Sequence, residues 1–155
     1  MKNTEVVKME KLEEVRKGMA VLAEKQSWIR KGVAEAMKVF EETVLAKRPE
    51  RFRFRYKLGK KTVEPTIAMY DYYYLLIDEE GVYIECDHAQ WAETNPDYYH
   101  ATDEETLKEV PIYILRNLGR EFDNILDQLA EALKEANESY GEAVEKLKKL
   151  AEALR

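Results

Sequence analysis

The chain has 155 residues, with 31 acids against 25 bases, a net charge of −6 and one cysteine, Cys86. A lone cysteine excludes an intramolecular disulfide, and net acidity argues against a general nucleic-acid coat. This length suits a single domain able to bury its core without a disulfide or metal staple.

Residues 1–10 are charged throughout and lack an apolar run, so no signal peptide is expected. No apolar stretch is long enough to span a bilayer, and the composition predicts a cytoplasmic protein. Glu and Lys are plentiful while Gln and Asn are scarce, a usage similar to that of thermophiles. Two long solvated helices would need the same residues in any organism.

A long helix is predicted over residues 5–48. Leu12, Val15, Met19, Leu22, Gln26, Ile29, Val33, Ala36 and Phe40 recur at alternating steps of three and four, which puts them on one stripe. Lys47, Arg48 and Pro49 mark the expected end, since cations suit a helix C-terminus and proline cannot continue the ladder. Gly18 and Gly32 are the weak points, each costing about 1 kcal/mol relative to alanine.

Residues 50–88 switch to period two. The run Arg51-Phe52-Arg53-Phe54-Arg55-Tyr56-Lys57-Leu58 alternates cation and hydrophobe, as a half-buried strand does. Gly59-Lys60 predicts a tight turn into a short return strand at Thr62 and Val63, stopped by Pro65. Ile67–Ile77 reads as a central strand, Asp78–Gly81 as a turn with glycine in the left-handed position, and Val82–Asp87 as the returning strand. The sheet is expected to be antiparallel with three or four strands.

Residues 89–101 read as a loop around Asn95-Pro96. Thr102-Asp103-Glu104-Glu105 matches a capping box that would start a helix over 103–118, kinked or divided by Pro111 and Gly119. Over 120–154, Phe122, Leu126, Leu129, Leu133, Ala136, Tyr140, Ala143, Leu147, Leu150 and Leu154 form a heptad seam.

Residues 1–155 are thus expected to form a single α+β domain: two long amphipathic, coiled-coil-like helices flanking a small sheet, plus a shorter kinked helix. A helix over 5–48 would be about 65 Å long, against a diameter of roughly 40 Å for a compact domain of this size. It must break at a glycine or project, and the C-terminal seam is its expected antiparallel partner. The order of long helix, small β region and long helix is similar to that of prefoldin subunits, which are coiled-coil chaperones. The likeness is of layout alone, and the 87–118 insertion departs from it.

Three features bear on function. Lys47–Lys61 holds eight cations and one acid, Glu50. Arg51, Arg53, Arg55 and Lys57, with Lys60 and Lys61 beyond them, form a candidate face for a polyanion such as nucleic acid or for a protein partner, since strand side chains on one face repeat every 6.6–6.8 Å or so. The competing reading is cross-strand pairing with Asp78, Glu79, Glu80, Glu85 and Asp87. Tyrosines crowd positions 56–99 and are expected chiefly to pack. Cys86-x-His88 supplies two ligand types from one strand, with His100 distant, and predicts no bound zinc; Cys86 is expected to keep a raised thiol pKa beside its acids. No catalytic motif is present, no cofactor is expected, and the chain is read as non-enzymatic. The favoured reading is an interaction protein, a homodimer held by its helix seams (Phe122, Leu126, Leu129, Leu133, Tyr140, Leu147, Leu150) that docks another protein.

Overall fold

The computed structural model describes residues 3–64, 66, 68–88 and 96–155. Its elements in chain order are α1 (Asn3–Thr43), β1 (Phe54–Glu64), β2 (Met69–Asp78), β3 (Gly81–Asp87), β4 (Asp97–His100), a 3-10 turn (Thr106–Glu109), α2 (Ile112–Arg120) and α3 (Phe122–Ala153). The four strands form an antiparallel meander in the order β1-β2-β3-β4, so the fold is α+β.

α1 is unbroken at Gly18 and Gly32, and its 41 residues make it about 62 Å long. Only its last third enters the core, through Val33, Ala34, Met37 and Phe40. The helix ends at Thr43, four residues before Lys47. There the amides of Val44 and Leu45 both turn back to the carbonyl of Phe40, at 2.9 and 3.0 Å. This early unwinding lets Leu45 fold against the core, a burial that outweighs continuing the ladder to Pro49.

β1 is one strand of 11 residues, with no turn at Gly59-Lys60. The register slips between Lys57 and Gly59, leaving Leu58 as a bulge. Gly59 takes φ +155°, and a Cβ there would come within 3.0 Å of Ile114 Cδ1. The bulged Leu58 carbonyl accepts from Asn117 Nδ2 at 2.9 Å, so α2 supplies the bond that the ladder loses. A glycine able to adopt positive φ serves a bulge as well as a turn. Here the ten residues of β2 need a partner of comparable length, and only an uninterrupted β1 provides one. The expected return strand at Thr62 and Val63 is therefore the far end of β1, and the hairpin closes after Glu64.

The turn at Asp78–Gly81 forms as expected: Asp78 Oδ1 accepts from the amides of Glu80 (2.9 Å) and Gly81 (3.3 Å). Arg48 clasps this turn from outside, donating from Nε to the Glu79 carbonyl at 2.9 Å.

Two features differ further from the sequence reading. β4 lies within the segment expected to be a loop, whose residues 89–95 are outside the described residues. The capping box at Thr102 is not formed. Asp103 Oδ1 accepts from the Glu105 amide at 3.0 Å, while Thr102 Oγ1 lies 2.8 Å from His100 Nδ1. Pro111 limits the segment before it to one 3-10 turn and sits as the N-cap residue of α2. The helical region then divides again at Glu121, two residues after Gly119.

The core forms where one face of the sheet meets the helices. Tyr73, Leu75 and Ile77 of β2 and Val82, Ile84 and Cys86 of β3 pack with Met37 and Phe40 of α1, Ile114 and Leu118 of α2, and Ile125 and Leu129 of α3. Asn124 Nδ2 donates to Tyr56 Oη at 2.8 Å, fixing α3 to β1.

Gly81 couples two of these layers. Its φ is +145°, and a Cβ would approach Glu41 Oε1 to 2.9 Å. Gly81→Ala is expected to destabilise the fold by ~1–3 kcal/mol, the range for a strained backbone conformation, read as a lower urea midpoint; an unchanged midpoint would contradict this account.

Candidate functional site: the free helix seams and the cationic strand

Both long helices run on past the core without cover. Every residue from 3 to 28 of α1 is exposed, as is every residue from 137 to 155. The apolar stripe predicted for α1 is present but uncovered over this length, with Met9 68% and Leu12 61% exposed. In α3 the seam splits. Phe122 meets Phe40 edge-on, with ring centroids 5.6 Å apart, Leu129 is buried, and Leu133 is half-buried. Leu126 is partly exposed at the rim, while Tyr140, Leu147, Leu150 and Leu154 stand in solvent.

The expected antiparallel pairing of α1 with α3 is thus confined to their bases at Phe40 and Phe122. α1 packs instead chiefly on α2. At the base of α1, Ile29, Val33, Phe40, Leu115, Leu118 and Phe122 line an apolar groove of about 980 Å³. It continues the exposed stripe of α1 toward the core.

The cationic segment is divided among different environments. Arg51 precedes β1, is exposed and takes φ +58°, so it lies off the strand face on which the sequence placed it. Arg53 Nη2 donates to Glu85 Oε2 at 3.0 Å. Arg55 donates from Nε to Glu85 Oε1 (2.7 Å) and from Nη2 to Asp87 Oδ2 (2.6 Å), and its guanidinium lies 3.6 Å from the Tyr74 ring centroid. Lys57 sits over Tyr72 at 4.6 Å and Lys60 over Tyr70 at 4.0 Å. The bulge at Leu58 keeps Lys60 on the same face as Lys57 and turns Lys61 to the other. There Lys61 lines a cleft with Arg30, Lys108 and Tyr113.

Glu85 is the centre of this arrangement, because its side chain is only 2% exposed. A buried carboxylate needs paired charge, and the two arginines supply it. Tyrosines 70, 72 and 74 therefore serve as a platform for cations on the sheet face opposite the core, whereas Tyr56 and Tyr73 pack inside.

A second cluster was only half legible in the sequence. His88 Nδ1 lies 3.8 Å from Cys86 Sγ and 3.3 Å from Asp71 Oδ2, and His88 Nε2 lies 2.6 Å from Asp97 Oδ2. Sequence reasoning named Cys86 and His88 but missed Asp71 and Asp97. Counting outward from the turn at Asp78–Gly81 would have found Asp71, since β2–β3 pairing of Tyr72 with Asp87 puts it opposite His88. The hydrogen bond to Asp97 raises the His88 pKa, opposed by burial and aided by Asp71. Burial pushes the Cys86 thiol up to about 11, with Asp71, Asp97 and Asp87 adding to the shift. The direction is the expected one, but desolvation rather than the neighbouring acids is its main cause.

If Glu85 anchors the cationic strand, Arg55→Ala should destabilise the fold by about 1–3 kcal/mol. That is below the loss for a fully buried pair, because Arg53 remains and Arg55 is partly exposed. Arg51→Ala should change stability by less than about 0.5 kcal/mol. Urea denaturation of both variants checks the contrast, and equal effects would contradict it.

Compared with protein-family models, curated proteins and solved structures, the chain returns no match, and the likeness of its layout to prefoldin subunits gains no support from the unpaired helices.

Proposed function

We propose that the protein is a non-enzymatic assembly protein whose projecting helices associate with those of a second copy. The carrying observation is the pair of exposed seams. On α1, Met9, Leu12, Val15, Met19 and Leu22 are uncovered over about 20 Å of helix; on α3, Tyr140, Leu147, Leu150 and Leu154 are uncovered. Apolar side chains repeating at steps of three and four are the contact surface of a coiled coil. Left in water, such a stripe forgoes roughly 25 cal/mol for each Å² it would bury.

Charge favours self-association over a polyanion. Residues 3–28 carry five acids and five bases, and residues 137–155 carry four of each, so neither arm repels its copy or attracts a nucleic acid. The groove at the base of α1 extends the same apolar surface and offers a helix of the second copy a continuous bed. The polyanion reading of the strand loses two of its four cations, Arg53 and Arg55, to Glu85 and Asp87. A protein partner docking on the tyrosine platform is compatible with assembly through the arms.

Light scattering across a dilution series tests the proposal. A mass twice the 18.2 kDa of one chain is expected, falling to 18.2 kDa on dilution or in the double variant Leu147→Asp, Leu150→Asp. Both leucines are exposed in the single chain, so this variant should leave the thermal transition of the core intact. Leu129→Asp, which buries an unpaired charge, should instead abolish it. A constant 18.2 kDa mass in the unaltered protein at all concentrations would overturn the reading.

A further inference from the structure

We propose that Asp71, Cys86 and His88 hold a single divalent cation of the zinc class, with Asp97 fixing the histidine from behind. The sequence offered two ligands on one strand and argued against a metal. The sheet register adds the missing group, because Asp71 of β2 stands opposite His88 just past the end of β3. One ligand atom from each of Asp71, Cys86 and His88 lies within 4.8 Å of the other two.

Both separations measured from His88 fit tetrahedral coordination. Zinc takes imidazole nitrogen at about 2.0–2.1 Å, carboxylate oxygen at about 2.0–2.2 Å and thiolate sulfur at about 2.3 Å. Tetrahedral angles then place a nitrogen and an oxygen ligand about 3.3–3.4 Å apart, and a nitrogen and a sulfur ligand about 3.6 Å apart. The corresponding separations are 3.3 Å for His88 Nδ1 to Asp71 Oδ2 and 3.8 Å for His88 Nδ1 to Cys86 Sγ. The third separation, Cys86 Sγ to an Asp71 oxygen, lies within 4.8 Å, and ligation would close it toward about 3.6 Å.

The outer ring of the site also has the form that metal-binding histidines require. A ligating imidazole almost always donates its second N–H to a carboxylate or carbonyl, which fixes the tautomer and the ring. Asp97 does this at 2.6 Å from His88 Nε2, and β4 holds it there by pairing Asp97 with Cys86. With the proton on Nε2, the Nδ1 lone pair is directed at the point between Cys86 and Asp71. Without a metal, the two aspartates pair with His88 and the thiol keeps its hydrogen bond to Tyr73; a cation would draw the thiol, imidazole and Asp71 carboxylate onto one centre. Thiolate, imidazole and carboxylate together select zinc or cobalt over magnesium and calcium, which prefer oxygen alone. His88 is 30% exposed, so the fourth position opens to water.

The test is titration of the full chain with cobalt(II) alone, followed by absorption spectroscopy. A thiolate-to-cobalt charge-transfer band and strong visible absorption of four-coordinate cobalt are expected, saturating at one equivalent and lost when zinc displaces the cobalt. His88→Gln and Asp71→Asn should each weaken cobalt binding at least tenfold. Asp97→Asn should keep the bands but weaken binding by about 10–100-fold, the usual effect of losing an outer-ring partner. Asp87→Asn, on the opposite face of β3 and bonded to Arg55, should leave affinity unchanged. Absence of a charge-transfer band with excess cobalt on the unaltered protein would overturn the proposal, and this measurement needs no variant to fold. A band that persists at unchanged affinity in both His88→Gln and Asp71→Asn would overturn it equally.

Discussion

The domain can cover only a short length of its first helix. The sheet, α2 and the base of α3 together bury four residues of α1, spread over two turns between Val33 and Phe40. A helix about 62 Å long therefore extends far beyond the body it belongs to. Other features follow from this mismatch. The arms are electrically balanced, their apolar residues lack intramolecular cover, and the fold is anchored where α1 meets α2 and where Phe40 meets Phe122.

The face of the sheet away from the helices meets a different requirement. No helix among the described residues covers it, yet Leu76 and Glu85 on that side are buried. The cover is made of the sheet's own long side chains. Arg55 lies across Tyr74 and reaches both Glu85 and Asp87, and the stems of Lys57 and Lys60 extend over the next tyrosines. Arginine and lysine shield apolar surface with their stems while keeping charge near water. A row of cations that resembles a polyanion site in sequence thus acts in large part as a lid over its own strand neighbours.

What could be read from sequence tracks how local the determining interactions are. The helices α1 and α3 themselves, the Asp78–Gly81 turn and the break at Pro111 rest on spacing within a few residues, and each is present. Gly59 was misread because a bulge and a turn use the same backbone freedom, and the choice depends on the length of a partner strand. The helix end at Thr43 depended on Leu45 reaching the core, which no local signal encodes. Pairing between α1 and α3 was displaced by the packing of α1 on α2, a long-range contact that no local pattern encodes. For the cluster around His88, Cys86 was visible from spacing, whereas Asp71 and Asp97 arrive from separate strands.

The continuity of α1 through Gly18 and Gly32 has a mechanical consequence. A straight helix held only at one end is a lever. With its tip at Asn3 about 51 Å from Met37, a rotation of 10° at that base would carry the tip through roughly 9 Å. Small repacking of α2 against α1 would thus be magnified several-fold at Met9 and Leu12. Whatever engages the far end of the helix gains, in return, a long moment arm on the sheet.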